Sequence, residues 1–151
     1  MALLFKKTGD VKSPVIATEG SAGIDLFLPE DILIRPYCKV LVDLNIAVAI
    51  PEGYVGILSP RSSAGKINVQ LANTLGWIDS DYRQSIKAFI RYSPVWNPPE
   101  EGNRHKPLEL VGGERYFQII IVPYFMAKEL VEVDDLGTTE RLGGFGSTGK
   151  E

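Results

Sequence analysis

A single cysteine, Cys38, and a single histidine, His105, stand in 151 residues. One cysteine forms no internal disulfide, which fits a reducing compartment. One of each excludes a His/Cys zinc cage within a single chain. His105 lies among Pro, Gly and charged residues, so it is expected in an exposed loop and not as the base of a Ser-His-Asp triad. Cys38, beside Lys39, reads as an inert strand residue. An excess of positive charge is also missing. The net charge is −3, so the surface as a whole is not expected to attract nucleic acid. An anionic ligand must then be caught by a few local cations or a metal ion. Long apolar runs are absent too. After Met1 the N-terminus offers only Ala2 to Phe5 before two lysines, with no cleavage-site pattern. No stretch approaches the ~20 residues of a membrane span. The expectation is a soluble, intracellular, cytoplasmic-type protein with no membrane partner and no direct nucleic-acid partner.

What the chain does have is apolar periodicity close to two. Ile86, Ala88, Ile90 and Tyr92 alternate with Lys87, Phe89 and Arg91, as in a strand with one dry face. Asn45–Ile50 and Tyr116–Val122 are short runs rich in Ile and Val, expected to be buried strands. Punctuation is frequent, with 15 Gly and 10 Pro distributed between such runs. Many short strands between turn signals predict an all-β sandwich, jelly roll or barrel in one domain. No long helix is expected. At most a turn or two follows Ser62, where hydroxyls can cap it. Ser93–Pro107 is Pro-rich, charged and aperiodic, and reads as a long surface loop carrying Trp96.

Three segments look chemical. Asn73–Tyr82, NTLGWIDSDY, reads as a β-hairpin whose backbone edge can match a planar base. Asp79 is its candidate general base and Tyr82 a flat platform for a sugar. Taken alone, such a stretch is an ordinary hairpin. Arg61-Ser62-Ser63-Ala64-Gly65-Lys66 gathers a guanidinium and two hydroxyls, groups that grip phosphate oxygens. The bland reading is a polar loop. The C-terminal run Arg141 to Lys150 is Gly-rich; its backbone N–H groups can converge on an anion, and Phe145 can cover a base. Its bland reading is a frayed tail. Gly144 to Lys150 also has the spacing G-x-x-x-x-G-K, but Glu151 follows where a phosphate-binding loop needs Ser or Thr and a helix. That reading is rejected.

Five blocks in one order resemble the trimeric, all-β deoxyuridine triphosphate nucleotidohydrolases, the dUTPases. They are Ala22-Gly23-Ile24-Asp25-Leu26, Pro60-Arg61-Ser62-Ser63, Asn73 through Tyr82, Gly113-Glu114-Arg115 with Gln118, and Gly143 through Lys150. The resemblance implies a jelly-roll-like distorted barrel over 1–140, with 141–151 an arm that closes over a neighbouring subunit's site in a homotrimer with shared active sites. It implies hydrolysis of dUTP to dUMP and pyrophosphate, which keeps uracil out of DNA and supplies dUMP for dTMP synthesis. By the same resemblance Asp79 activates the water that attacks the α-phosphorus, Asn73 with the backbone of Gly76 and Ile78 reads uracil, and Tyr82 packs on deoxyribose. Arg61, Ser62, Ser63 and Gln118 hold phosphates, and Arg141, Phe145, Gly146, Ser147 and Thr148 close the nucleotide end. Asp25 organises Mg²⁺ through its waters. The sequence departs from the family pattern at Gln84, usually Gly, at Tyr116-Phe117, usually smaller, and in its longer 93–107 loop.

The physics agrees with these roles. A carboxylate beside a polyanion is repelled, so a cation bridging the phosphates is expected. An ordinary Asp titrates near pH ~4 and is a weak base unless burial raises its pKa. Positioning and charge neutralisation should therefore supply most of the rate. Rejecting thymine rests on one methyl group, worth about 1–3 kcal/mol. Two other readings remain. A non-catalytic or dual-role regulatory module could bind dUTP, or a protein partner at loop 93–107. A sister family deaminates dCTP, but needs a carboxylate soon after the Asp79 segment where Ser85-Ile86-Lys87 stands.

Overall fold

A computed structural model describes residues 2–94 and 106–139. Twelve strands and one short helix make up these residues. The strands are β1 (Leu4–Lys7), β2 (Val15–Ile16), β3 (Ile24–Phe27), β4 (Ile32–Ile34), β5 (Lys39–Asp43), β6 (Ile46–Ala49), β7 (Tyr54–Pro60), β8 (Val69–Leu71), β9 (Gly76–Ile78), β10 (Lys87–Tyr92), β11 (Leu108–Leu110) and β12 (Arg115–Pro123). Helix α1, Ser62–Lys66, follows β7. The strands form four antiparallel sheets, ordered β2-β3-β12-β7-β9, β5-β10-β8, β1-β6 and β4-β11. Most pairings join strands far apart in sequence, and the sheets wrap one core as a jelly-roll-like barrel.

Alternation explains the core. In β10 Ala88 and Ile90 are fully buried, with Ile86 just before them, while Lys87 and Arg91 face out. In β12 Phe117 and Ile119 point inward beside Leu26 of β3 and Leu58 of β7. Gly56 of β7 permits a close contact in the core. A Cβ there would lie 2.7 Å from methyls of both Ile119 and Ile50, so even alanine would force these side chains to repack.

Three expectations need correction. Asn73–Tyr82 is not the tip of a hairpin: β8 pairs with β10, and β9 pairs with β7. The turn between them crosses from one sheet to another, with Thr74 left-handed at φ 69°. Each flanking strand buries its apolar side chains in its own sheet, Val69 and Leu71 in one and Ile78 in the other. Helix α1 is present as expected, but its N-cap is Arg61, with no side-chain cap, so the serine hydroxyls do not cap it. Cys38 precedes β5 and is exposed. Its N–H closes a turn onto the Arg35 carbonyl (3.1 Å), with Tyr37 left-handed at φ 61°.

Among the described residues no helix is long and apolar enough to cross a membrane. Most of the 93–107 loop, including Trp96 and His105, lies outside the described residues, as does the C-terminal run with Arg141, Phe145, Gly146, Ser147 and Thr148.

Candidate functional site

The outer face of the five-stranded sheet carries the first cluster. Register aligns Asp25 of β3 with Gln118 of β12, and Gln118 with Ser59 of β7. Arg61 follows directly after β7, anchored by its N–H to the Tyr116 carbonyl (2.8 Å). Its Nε lies 2.9 Å from Asp25 Oδ1, while its Nη1 donates to the Arg115 carbonyl (3.1 Å). Arg115 Nη1 reaches the other oxygen of Asp25 (3.1 Å). Asp25 is only 3% exposed. A buried carboxylate would be costly alone, but two guanidiniums satisfy it and are themselves fixed in direction.

Two arginines on one carboxylate leave a net positive patch. Phe27 lies between two cations, with Lys12 Nζ 5.4 Å and Arg115 Cζ 5.9 Å from its ring centroid. Gln118 lies across the backbone of Gly23, where a Cβ would approach its Oε1 to 2.2 Å. Any residue but glycine would therefore displace this amide. Ser62 and Ser63 are exposed at the start of α1, next to Arg61. The cluster can hold phosphate oxygens through charge-assisted hydrogen bonds.

Arg115 is the member of this cluster that sequence reading left without a role. The available signal was a basic residue heading a strand just after Gly112-Gly113. A bulge between Arg115 and Phe117 breaks the simple alternation, which hides its side from pattern analysis.

The second cluster sits at the sheet edge. Among the described residues strand β9 pairs with β7 alone, Gly76 opposite Leu58 and Ile78 opposite Gly56. Its other edge offers backbone groups to a ligand, as β-augmentation does. The preceding turn is set by Asn73, whose Nδ2 donates to the Leu75 carbonyl (2.9 Å) while Leu75 N–H donates to the Asn73 carbonyl (2.8 Å). Asp79 follows β9 and is exposed. Tyr82 is half-buried against the core; its N–H bonds the Asp79 carbonyl (3.1 Å) and its hydroxyl donates to the Ser85 carbonyl (2.9 Å).

The structure gathers Asp25, Arg61, Arg115 and Gln118 in one place, and Asn73, Gly76, Ile78, Asp79 and Tyr82 in another. It does not bring the two groups together within one chain. Asp79 lies level with Val55, four residues along β7 from Ser59, and β9 is three strands away from β3. At ~3.3 Å per residue and ~4.8 Å per strand, Asp79 and Asp25 are roughly 20 Å apart. Direct proton transfer needs contact near 3 Å. Among the described residues no group of three His, Cys, Asp or Glu side chains can hold a metal ion.

Comparison with known proteins identifies the family. The dUTPase family model matches residues 10–149. A deoxyuridine 5'-triphosphate nucleotidohydrolase of Hydrogenobaculum sp. is 41% identical over 153 aligned positions, covering 99% of both chains. A variant of the Staphylococcus bacteriophage 80alpha dUTPase, solved with dUpNHpp, superposes with a TM-score of 0.85 at 27% identity, covering 98% of both chains. A variant dUTPase of phage phi11 of S. aureus, whose structure reveals coordination of a structural Mg(II) ion, has a TM-score of 0.79 over 91% of this chain and all of its own. At 22% identity that likeness speaks for the fold alone. A family-model match across nearly the whole length, together with 41% identity to a full-length relative, makes this chain a member of the dUTPase family.

Proposed function

We propose that the two clusters act as complementary halves of one site, with Asp79 of one copy facing Arg61, Arg115 and Gln118 of another. The chain hydrolyses dUTP to dUMP and pyrophosphate. The observation that carries the shared-site reading is the separation of roughly 20 Å between the halves in one chain, far beyond the span of a single attacking water. Assembly has further support. Phe125, Leu130 and Leu136 are 91%, 92% and 94% exposed in a segment without strand pairing. Apolar surface of that kind calls for a partner. A homotrimer, with residues 141–151 delivered from a neighbour, satisfies both observations.

In this reading the open edge of β9 pairs with uracil through the backbone of Gly76 and Ile78, and Asn73 shapes the turn that presents them. A wrong base would leave buried backbone groups unpaired. Tyr82 packs on the deoxyribose. Arg61 and Gln118, with Ser62 and Ser63, hold the phosphates, and Arg141, Phe145, Gly146, Ser147 and Thr148 close over the nucleotide. Asp79 accepts a proton from water as the water oxygen bonds to the α-phosphorus. The bond from that phosphorus to the bridging oxygen breaks, and pyrophosphate leaves with the bonding pair. Arginines aimed at the phosphates neutralise charge without rearranging during the reaction.

A divalent cation, Mg²⁺, fits as a companion of the triphosphate and not as an ion held by the protein. The two oxygens of Asp25 already accept from two arginines. Only its remaining lone pairs could orient metal-bound water, so its first role is to anchor Arg61 and Arg115. When bound, the cation would offset the phosphate charge that otherwise repels Asp79.

The test is pyrophosphate release by purified protein from dUTP, dTTP, dCTP and UTP, each with Mg²⁺ or EDTA. Release from dUTP alone, lost in EDTA, is expected. A folded sample silent toward all four would overturn the reading and favour a nucleotide-binding module.

A further inference from the structure

Between Tyr82 and β10 runs a tether for which the proposed chemistry has no use. Ser85 is buried, and its side chain is clamped from two sides. Thr8 Oγ1, just after β1, donates to Ser85 Oγ (3.0 Å), and Ser85 Oγ donates in turn to Asp43 Oδ1 at the end of β5. The same Asp43 oxygen accepts the Asn45 N–H (2.9 Å), and Thr8 N–H bonds the Asn45 carbonyl (2.9 Å). Three separate parts of the chain therefore meet on one hydroxyl. The carbonyl of this same Ser85 accepts the hydroxyl of Tyr82.

The stretch 79–84 belongs to no strand. Its hydrogen bonds are local: Tyr82 N–H to the Asp79 carbonyl, and the Arg83 guanidinium to the Ser80 and Tyr82 carbonyls. A loop bonded mainly to itself takes its position from its ends. One end is Ile78 in β9; the other is Ser85, with Ile86 paired by its backbone to Leu44 and Ile46.

We propose that Ser85 is a positioning residue for sugar discrimination: held by Asp43 and Thr8, it fixes the point where the Tyr82 loop joins the barrel and so sets how closely the ring approaches the sugar. The proposal rests on the reading of Tyr82 as the deoxyribose platform. Ribose differs from deoxyribose by one oxygen, so a ring displaced by about 1 Å is enough to admit it or to loosen the correct substrate. The Ser85 carbonyl shares one planar peptide with the Ile86 N–H and stays in place through the bond to Ile46. Losing the hydroxyl should therefore loosen the chain on the Tyr82 side of Ser85 without unpairing β10.

The experiment measures kcat and KM for dUTP and UTP, with Tm, for the wild type, Ser85→Ala, Ser85→Thr, Asp43→Ala and Tyr82→Ala. Ser85→Ala is expected to lower the preference for dUTP over UTP in kcat/KM by about tenfold, chiefly through KM. Ser85→Thr, which keeps the hydroxyl, should stay within about threefold of wild type. An unchanged preference in folded Ser85→Ala overturns the proposal; if that variant does not fold, an unchanged preference in Asp43→Ala does so. A selective wild type whose preference survives Tyr82→Ala would sink the sugar-platform reading itself. A wild type that does not hydrolyse dUTP would sink the proposed function.

Discussion

The centre and the edge of the five-stranded sheet hold their polar groups in opposite ways. At the centre, Asp25, Arg61, Arg115 and Gln118 stand on or beside paired strands, and each charge has a partner. At the edge, Asp79 and Tyr82 leave a strand paired on one side only and continue through a self-bonded loop. Phosphate capture needs cations fixed in direction, which neighbouring strands supply. Base and sugar recognition needs open backbone and a ring with adjustable reach, which an edge supplies. The centre should therefore register mutations as stability together with binding, and the edge as recognition and chemistry with little change in stability.

The largest effect should come from the edge. Asp79→Asn is expected to slow hydrolysis by about 10³-fold or more, while dUTP still binds and Tm is unchanged, as kinetics with calorimetric titration would show. Substantial turnover would remove Asp79 as the base. Deleting Gly143 to Glu151 should likewise abolish hydrolysis while leaving the melting transition in place; full activity would end the proposed role of the arm.

Mixing sharpens the comparison most directly. Asp79→Asn chains and Arg61→Ala chains, each inactive alone, should regain roughly one quarter of wild-type activity when co-assembled at equal ratio, because random mixing gives that share of sites both intact halves. A mixture as dead as its parents would place both halves in one copy. The smallest effect belongs to Asp25→Ala. It should cost about 1–3 kcal/mol in denaturant unfolding, since both arginines keep some access to water and screening limits the loss. The same variant should weaken nucleotide binding by releasing Arg61 and Arg115. A Tm equal to wild type would mean that the carboxylate does not hold the centre together.

How far these features were legible in the sequence depends on whether they are local. The dry face of Ile86, Ala88 and Ile90 follows from alternation, and β6 and β12 from short runs rich in Ile and Val, both of which a strand's own residues report. The partner of a strand is another matter. Period two in Val69–Leu71 and around Gly76–Ile78 signals two strands and a turn, but a hairpin and a crossing between sheets give the same pattern. Strand pairing decided between them: β8 joins β10 in one sheet and β9 joins β7 in another, although Val69, Leu71 and Ile78 share one core. Arg115 was obscured by a bulge, and Ser85 by chain distance, since its partners Asp43 and Thr8 lie far away in sequence.

The sequence by itself determined the all-β class, the dUTPase family likeness and a candidate set of reacting groups, because side-chain chemistry and strand periodicity are properties of short segments. Tertiary structure alone decided that Asp25 is clasped by two arginines, that Ser85 ties the Tyr82 loop to Thr8 and Asp43, and that Asp79 stands roughly 20 Å from Asp25 of its own chain. Those facts depend on register and sheet order, which arise from burial across the whole barrel and leave no mark on the spacing of residues along the chain.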